Sequence, residues 1–361
     1  MTVRPPRTGL EVRLATVPAG LPEPTDLTVT ETPLSAPAPG QVLVRNHHFL
    51  VYGGLLTLLG GTVKDTPVPA LRPGDTLFGP AVGEVIEAPE GSALRPGTLV
   101  THVLGWREYA LVPEADCQVV DPDHPDPVAA LASGSAAYGA LTRLARVRAG
   151  DVVLVTGAAG GVGSLAGQIA RLLGAARVIG TTGSPGKARR LIEELGYDAV
   201  VTAGSWRDAA RDGTARGGTD AAAEAFAAEL AGVAPDGIDV LLDNVGGAQL
   251  TAAVDAARHG ARFALVGALS GQMAADAPGS AAPAVIDSFQ LVVKALTVQG
   301  YTGVDHPEVA AEWAGRLAGW LRSGDIRVPL HRIPGIDQAP RALREMIDGR
   351  HFGTVVVELR A

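Results

Sequence analysis

Two patterns of apolar and polar positions divide the chain. Through about residue 127, short alternating runs typical of half-buried strands are separated by turn signals such as Ala38-Pro-Gly. After that point helical patterns alternate with apolar strands. The first pattern predicts a small antiparallel, barrel-like β domain, and the second predicts a doubly wound parallel α/β domain. The expected parallel strands are Val152–Thr156, Arg177–Gly180, Ala199–Thr202, Ile238–Asp243, Arg262–Val266 and Leu296–Gly300.

The last sixty residues carry a helical pattern near Val309–Leu321 and a closing strand pattern at Gly353–Leu359, and we expect them to return to the first domain. Residues 204–236 are rich in Ala, Gly, Asp and Arg, and they are expected to form a long mobile connection or a poorly packed helix. The expected organisation is a β-rich substrate domain at residues 1–127, a dinucleotide-binding domain at 128–300 and a returning C-terminal segment at 301–361.

A glycine-rich turn follows the first parallel strand. Residues 155–163 read Val-Thr-Gly-Ala-Ala-Gly-Gly-Val-Gly, and a helical pattern from Ser164 to Leu173 comes next. This is the layout of a dinucleotide-binding unit, in which glycines let the backbone approach a pyrophosphate and the helix N-terminus faces the anion. Position 158 holds Ala where the usual fingerprint has its first Gly. A glycine turn without a ligand is the alternative interpretation.

The residues after the second parallel strand favour NADP(H) over NAD(H). An NAD site usually holds the ribose hydroxyls with Asp or Glu at this point, but residues 152–192 contain no acidic residue. One of the chain's three lysines, Lys187, falls here, close to Arg189 and Arg190. A 2′-phosphate needs such cations and hydrogen-bond donors. Alternatively, these basic residues form the solvated start of a helix.

Composition narrows the classes of function. The chain has 361 residues and a net charge of −8, with no basic stripe, which argues against nucleic acid or an anionic membrane as a partner. No apolar run approaches the ~20 residues of a membrane span, so we expect a soluble cytoplasmic protein. A single cysteine, Cys117, excludes a disulfide framework and multi-cysteine zinc sites. We expect no metal site, because the adjacent His47 and His48 would point to opposite faces of a strand.

With these motifs the chain resembles the zinc-free branch of the medium-chain dehydrogenase/reductase superfamily, and within it the prostaglandin reductase, alkenal double-bond reductase and quinone oxidoreductase group. The resemblance implies a Rossmann domain and a GroES-like β-barrel domain, NADP(H) as the cofactor, a small-molecule substrate and a homodimer. The stretches that carry it are Val42-Leu-Val-Arg-Asn, Gly105-Trp-Arg-Glu-Tyr-Ala-Leu-Val, Gly157-Ala-Ala-Gly-Gly-Val-Gly-Ser, Gly167-Gln-Ile-Ala, Gly183-Ser with Lys187, Glu193-Glu-Leu-Gly-Tyr-Asp, Asp243-Asn-Val-Gly-Gly, Val266-Gly-Ala, Val298-Gln-Gly-Tyr and Phe352-Gly-Thr.

The resemblance also implies which residues hold the cofactor. The family usually has Asn where His351 stands. Grouped by the part of the cofactor they would contact, the expected residues are Ala158, Ala159, Gly160, Gly161 and Val162 at the pyrophosphate, Gly183, Ser184 and Lys187 at the 2′-phosphate, Asn244, Val245, Gly267 and Ala268 on the nicotinamide side, and Tyr301 and His351 closing over the cofactor.

The stretches expected to line the substrate pocket depart from the family. Tyr52-Gly-Gly-Leu-Leu56 stands where the family carries Asp-Pro-Tyr-Met-Arg. Ser270-Gly-Gln-Met replaces a segment that contains a tyrosine, and Ala203 replaces a tyrosine that often helps to hold the phosphate. The identity of the substrate therefore does not carry over from the family.

These features favour NADPH-dependent reduction of a carbon–carbon double bond conjugated to a carbonyl. Hydride would reach the β-carbon, a donor would stabilise the enolate oxygen, and the α-carbon would take a proton. Tyr52 is the candidate catalytic proton donor because it falls in the substrate-lining stretch; a packed barrel tyrosine is the alternative, and His48 is a second candidate. Quinone reduction, a non-redox step such as a cyclisation, and cofactor binding without catalysis stay open.

Overall fold

The computed structural model describes residues 7–60, 69–202, 218–274 and 281–359. The chain divides into two units, one made of residues 1–132 with 330–361 and the other of residues 133–329. The chain thus returns to the first unit near Leu330. The sequence had suggested an earlier return, near residue 301. The return is later because the helix Glu308–Ser323 packs within the second unit, where the ring of Trp313 lies 6.1 Å from that of Tyr138.

The first unit is built on two sheets. Its strands are β1 (Thr8–Leu14), β2 (Leu27–Pro33), β3 (Gln41–Val51), β4 (Ala81–Glu87), β5 (Leu99–His102), β6 (Tyr109–Pro113), β7 (Gln118–Val119), β14 (Leu330–Pro334) and β15 (Thr354–Glu358). β1 and β2 form an antiparallel pair, and the others form a mixed sheet in the order β14-β15-β3-β4-β5-β7, with β6 paired to β3. In the part of this unit that the structure describes, the α-helices are Leu55–Leu59 and Ala339–Ile347.

The alternation seen in the sequence sets the faces of these strands. Ala110 and Val112 of β6 are buried, whereas Tyr109 and Leu111 are half-buried. Together with Val42, Val44 and Val85 they form one of the apolar clusters of the unit. Burial of one face in this way selects the register of each strand, because a shift of one residue would turn the apolar side chains to solvent.

The described residues of the second unit form a six-stranded parallel sheet. Its strands are β8 (Val152–Val155), β9 (Arg177–Thr182), β10 (Ala199–Thr202), β11 (Ile238–Asp243), β12 (Ala257–Leu265) and β13 (Thr297–Gly300). They lie in the order β10-β9-β8-β11-β12-β13, which is the doubly wound order of a Rossmann fold. The expected fold class is confirmed.

Helices connect these strands. One of them, Gly218–Val233, occupies much of the segment that we expected to be mobile or poorly packed. Phe226 and Leu230, one turn apart, are fully buried against the sheet, so that expectation is wrong for this part of the chain. The α-helices among the described residues of the unit are Gly134–Gly139, Gly163–Leu172, Pro185–Leu195, Gly218–Val233, Gly247–Asp255, Leu269–Gln272, Ser288–Val293 and Glu308–Ser323. None of the described helices has the length and apolar character needed to cross a bilayer.

Candidate active site

The glycine-rich turn is anchored to the neighbouring strand. The Gly157 N–H donates to Thr181 Oγ1 at 3.0 Å, and the Ala158 N–H donates to Thr181 O at 2.8 Å. Gly157 adopts φ +60°, a conformation that favours glycine. A Cβ on Gly163 would lie 2.6 Å from the Ala158 Cα, so the helix starts in direct backbone contact with the turn.

Ala158, the departure from the usual fingerprint, is accommodated by a glycine in the adjacent strand. A Cβ placed on Gly180 of β9 would lie 2.9 Å from the Ala158 Cβ. The missing side chain at Gly180 therefore leaves the space that the Ala158 methyl group fills. Glycine at position 180 thus permits alanine at the position of the first glycine of the fingerprint.

Tyr197 supports the same helix from inside the unit. Its hydroxyl donates to Gly163 O at 2.6 Å, and a Cβ on Gly167 would lie 2.6 Å from its Oη. Burial raises the pKa of Tyr197, which keeps the hydroxyl protonated as a donor. The sequence did not predict this role for Tyr197. The signal in the sequence was Gly167, because glycine is disfavoured inside a helix and its presence there indicates a close neighbour.

The turn presents donors to an anion. The helix Gly163–Leu172 has no acidic residue in its first turn. Within the described part of the chain, the N–H groups of Val162 and Gly163 have no backbone acceptor, as expected for the start of a helix. Ala158 and Ala159 are buried below the turn, whereas Gly160 is exposed. This arrangement is suited to a pyrophosphate.

A second helix start lies after β9. Ser184 is the N-cap of the helix Pro185–Leu195, and its hydroxyl makes no capping hydrogen bond. Lys187 is half-buried in the first turn, and Gly183 is exposed. Arg190 pairs with Glu194, with the Arg190 Nε and Glu194 Oε1 atoms 2.6 Å apart. Ser184 and Lys187 thus lie together at a helix start that has no carboxylate in its first turn. Ala203, which replaces the family's phosphate-holding tyrosine, lies outside the described residues.

A buried carboxylate shapes the turn after β11. Asp243 accepts hydrogen bonds from Thr156 Oγ1 at 2.5 Å and from the Val245 N–H at 3.0 Å. Desolvation raises the pKa of Asp243, and these hydrogen bonds oppose the rise. The Asn244 side-chain amide donates to Thr156 O at 2.7 Å, so Asp243 and Asn244 are both tied to Thr156, which directly follows β8.

The turn after β11 is joined to the segment after β12. A Cβ on Gly267 would lie 2.8 Å from Asn244 O, and the Leu269 N–H donates to that oxygen at 3.1 Å. The Tyr301 N–H donates to Leu265 O at 2.8 Å, which places Tyr301 beside the end of β12. The residues predicted for the nicotinamide side therefore come together at the carboxyl ends of adjacent strands, the edge where open α/β sheets bind ligands.

Tyr52 and His48 belong to the first unit. A Cβ on Gly54 or on Gly79 would lie 3.0 or 2.6 Å from the Tyr52 ring, so both glycines leave room for that ring. Burial raises the pKa of Tyr52 to about 12. His48 accepts a hydrogen bond from Arg332 at 2.9 Å, and burial lowers its pKa, so it is a neutral, already engaged imidazole.

His351 also belongs to the first unit. Its Nε2 atom lies 3.2 Å from the Glu345 carboxylate. Its ring stacks on that of His331 with the centroids 4.1 Å apart. Among the described residues, no group of three or more His, Cys, Asp or Glu side chains is arranged to hold a metal ion.

Comparisons with known proteins agree with this architecture. Residues 161–318 match a family described as zinc-binding dehydrogenase, and residues 11–120 match the N-terminal domain of oxidoreductase. Prostaglandin reductase 1 of Rattus norvegicus is 30% identical over 299 residues, which cover 80% of this chain and 83% of the relative. The chain belongs to the medium-chain dehydrogenase/reductase superfamily.

Other members of the superfamily resemble this chain over nearly its whole length. The NADPH-dependent curcumin reductase of Escherichia coli (strain K12) is 28% identical over 354 residues, covering 96% of this chain and 95% of the relative. The crystal structure of CurA in complex with NADPH from Vibrio vulnificus matches with a TM-score of 0.83 at 26% identity, covering 98% of this chain and 99% of that one. These findings confirm the expected superfamily, oxidoreductase class and NADP(H) cofactor.

Proposed function

We propose that this chain reduces a carbon–carbon double bond conjugated to a carbonyl, with NADPH as the reductant. The observation that carries the proposal is the strand-end cluster of Asn244, Val245, Gly267 and Ala268 in the same unit as the glycine-rich turn. A relative that covers nearly the whole chain is named for reducing curcumin, a conjugated enone, with NADPH.

The residues present fit NADPH, which when bound would supply the hydride that adds to the β-carbon. The N–H groups of Val162 and Gly163 would hold the pyrophosphate, where the positive end of the helix dipole favours an anion. Ser184 and Lys187 would hold the 2′-phosphate through a hydroxyl and a cation. Glycine at position 267 lets the chain pass close to Asn244, since a Cβ there would lie 2.8 Å from Asn244 O.

We further propose Tyr52 as the proton donor to the α-carbon. Its ring is seated against two glycines, which limits the directions in which the hydroxyl can point. A pKa of about 12 keeps the phenol protonated throughout the neutral range. The α-carbon of an enolate is a stronger base than a phenolate, so such a weak acid is sufficient as a donor.

His351 is proposed to close over the cofactor. The contacts with Glu345 and His331 fix the plane of its ring. A ring held in this way loses little freedom when it packs on a ligand, which lowers the entropic cost of binding. The asparagine usual at this position in the family would offer hydrogen bonds but no comparable flat surface.

We propose a homodimer that forms at the β13 edge of the parallel sheet. β13 is the last strand in the order of that sheet, and its neighbour along the chain, the helix Ser288–Val293, exposes Phe289 by 67% and Val292 by 76%. An exposed edge strand beside an apolar helix is a surface that a second copy can cover. Light scattering should give a dimer mass, and Val292→Asp should shift the mass toward the monomer.

The test of the proposed activity is stoichiometric. Purified protein is mixed with NADPH and a panel of enones, enals and quinones, and both NADPH loss and product are quantified. One saturated ketone or aldehyde per NADPH supports the proposal. Turnover of quinones alone would replace it with quinone reduction, and product formed without NADPH loss would replace it with a non-redox reaction.

A further inference from the structure

Thr181, the residue before the last of β9, is the point to which the glycine-rich turn is attached. Its hydroxyl and carbonyl oxygens accept the first two N–H groups of the turn, those of Gly157 and Ala158. The same hydroxyl donates to Gln249 Oε1 at 2.7 Å. Thr181 is 1% exposed and Gln249 is 4% exposed. Polar groups buried this deeply depend on each other, because either one left unpaired would be costly.

The direction of each hydrogen bond around the Thr181 hydroxyl is determined by its partners. The Gly157 N–H can only donate, so the hydroxyl oxygen accepts from it. The single hydroxyl proton is then left for Gln249, which presents its Oε1 atom. Gln249 therefore stabilises the rotamer in which the hydroxyl of Thr181, and not its methyl group, faces the turn.

Gln249 makes this contact from another part of the sheet edge. It is the third residue of the helix Gly247–Asp255, which follows β11. Because β8 lies between β9 and β11 in the sheet, the Gln249 side chain reaches past the end of β8 to the end of β9. One buried hydroxyl thus connects the turn after β8, the end of β9 and the helix after β11.

The polarity of Gln249 serves this one contact. Among the residues that the structure describes, Thr181 is the only hydrogen-bond partner of the Gln249 side chain. An apolar side chain of similar length could fill the same space without the cost of burying an amide. The carboxamide at position 249 is therefore accounted for by its hold on Thr181.

We propose that Gln249 is a positioning residue for the cofactor, which keeps the glycine-rich turn in the shape that binds the pyrophosphate. The N–H groups assigned to the pyrophosphate, those of Val162 and Gly163, come five and six residues after Gly157, at the other end of the same short turn. The pyrophosphate is common to NADPH and NADH, so Gln249 should support the binding of both. This role concerns cofactor binding and does not depend on which substrate is reduced.

The decisive variant removes the acceptor and keeps the length of the side chain. In Gln249→Met the Thr181 proton is unpaired inside the unit, and we expect the Kd for NADPH and the Kd for NADH each to rise about tenfold in fluorescence titrations. Thr251→Val is the matched control, because it removes a hydroxyl of the same helix that donates to Gly247 O within that helix at 3.3 Å. The control should bind both cofactors within about twofold of the wild type.

A double-mutant cycle tests whether Gln249 acts through Thr181. Thr181→Val removes both hydrogen bonds of the hydroxyl and should raise the Kd for NADPH at least as much as Gln249→Met. The double variant should bind NADPH within about twofold of Thr181→Val, because the contact with Gln249 is already lost. Thr181→Ser keeps the hydroxyl and should stay within about threefold of the wild type. Losses that multiply in the double variant would overturn the assignment.

Thermal unfolding separates a positioning role from a contribution to stability alone. A lower Tm with unchanged Kd values in Gln249→Met would refute the positioning role. Weaker binding of NADPH alone would also refute it, and would place Gln249 at the 2′-phosphate. If Gln249→Met does not fold, Gln249→Asn removes the same contact with a carboxamide that is one methylene shorter, and its two Kd values decide in the same way. Because only binding is measured, a protein that reduces no enone would still give a clear result.

Discussion

A methyl group added at Gly163 tests the contact between the glycine-rich turn and the helix that follows it. In Gly163→Ala the new Cβ would lie 2.6 Å from the Ala158 Cα and 2.9 Å from the carbonyl carbon of the same residue. Both neighbours are backbone atoms and cannot move away as the end of a side chain could. The turn itself must shift.

These distances set the size of the loss in stability. Non-bonded carbon atoms prefer about 3.5–4.0 Å, so the turn must retreat by about 1 Å. Overpacking of this kind costs about 1–3 kcal/mol, and the replacement of glycine by alanine in a helix returns about 0.5–1 kcal/mol. Because the obstacle is backbone, the upper part of the range applies, and we expect a net loss of about 2 kcal/mol.

Thermal unfolding followed by circular dichroism measures the stability. A loss of about 2 kcal/mol should lower the Tm by about 4–8 °C for a unit of this size. Gly319→Ala is the matched control, since Gly319 is in the helix Glu308–Ser323 and a Cβ there meets nothing within 4 Å. That variant should gain about 0.5–1 kcal/mol.

NADPH titration measures the functional consequence. A turn displaced by about 1 Å no longer holds the donors of Val162 and Gly163 at the pyrophosphate, and the Kd should rise about tenfold or more. Gly319→Ala should leave the Kd unchanged. A Gly163→Ala protein that melts with the wild type and binds NADPH equally well would show that the turn and the helix are not in contact as described.

Lys187→Ala should weaken NADPH binding by about 1–2 kcal/mol and leave NADH binding unchanged. An equal effect on the NADPH and NADH titrations would show that Lys187 does not bind the 2′-phosphate. Tyr52→Phe should lower kcat about a hundredfold without changing the Kd for NADPH, whereas full activity in steady-state assays would exclude Tyr52 as the proton donor. His102 is buried as a neutral imidazole between Asn46 and the Leu104 N–H, and burial lowers its pKa to about 4 from the ordinary 6.5. The stabilisation from the neutral His102 is complete above pH 6.5, and the free energy of unfolding should fall by up to about 3 kcal/mol between pH 6.5 and 4. Urea unfolding at pH 7 and pH 5 measures this fall. His102→Gln should make the free energy of unfolding less dependent on pH.

The sequence by itself determined the local elements of this protein. Short apolar runs at β8, β11 and β12, each separated by helical periodicity, predicted the parallel sheet, because period and turn chemistry act between residues close in the chain. The glycines before Ser164 and the lack of carboxylates near Lys187 predicted a phosphate-binding edge for the same reason. These inferences need no knowledge of which strands are neighbours.

Contacts between distant residues were decided by the tertiary structure alone. Gly180 makes room for Ala158, and Tyr197 holds Gly163 across 34 positions of the chain, so no local pattern could reveal either pair. The stacking of His351 on His331 likewise depends on how the C-terminal strands pair. The physical reason is that strand order and register bring such residues together, and a periodic pattern specifies which face of a strand is buried but not which strand lies beside it.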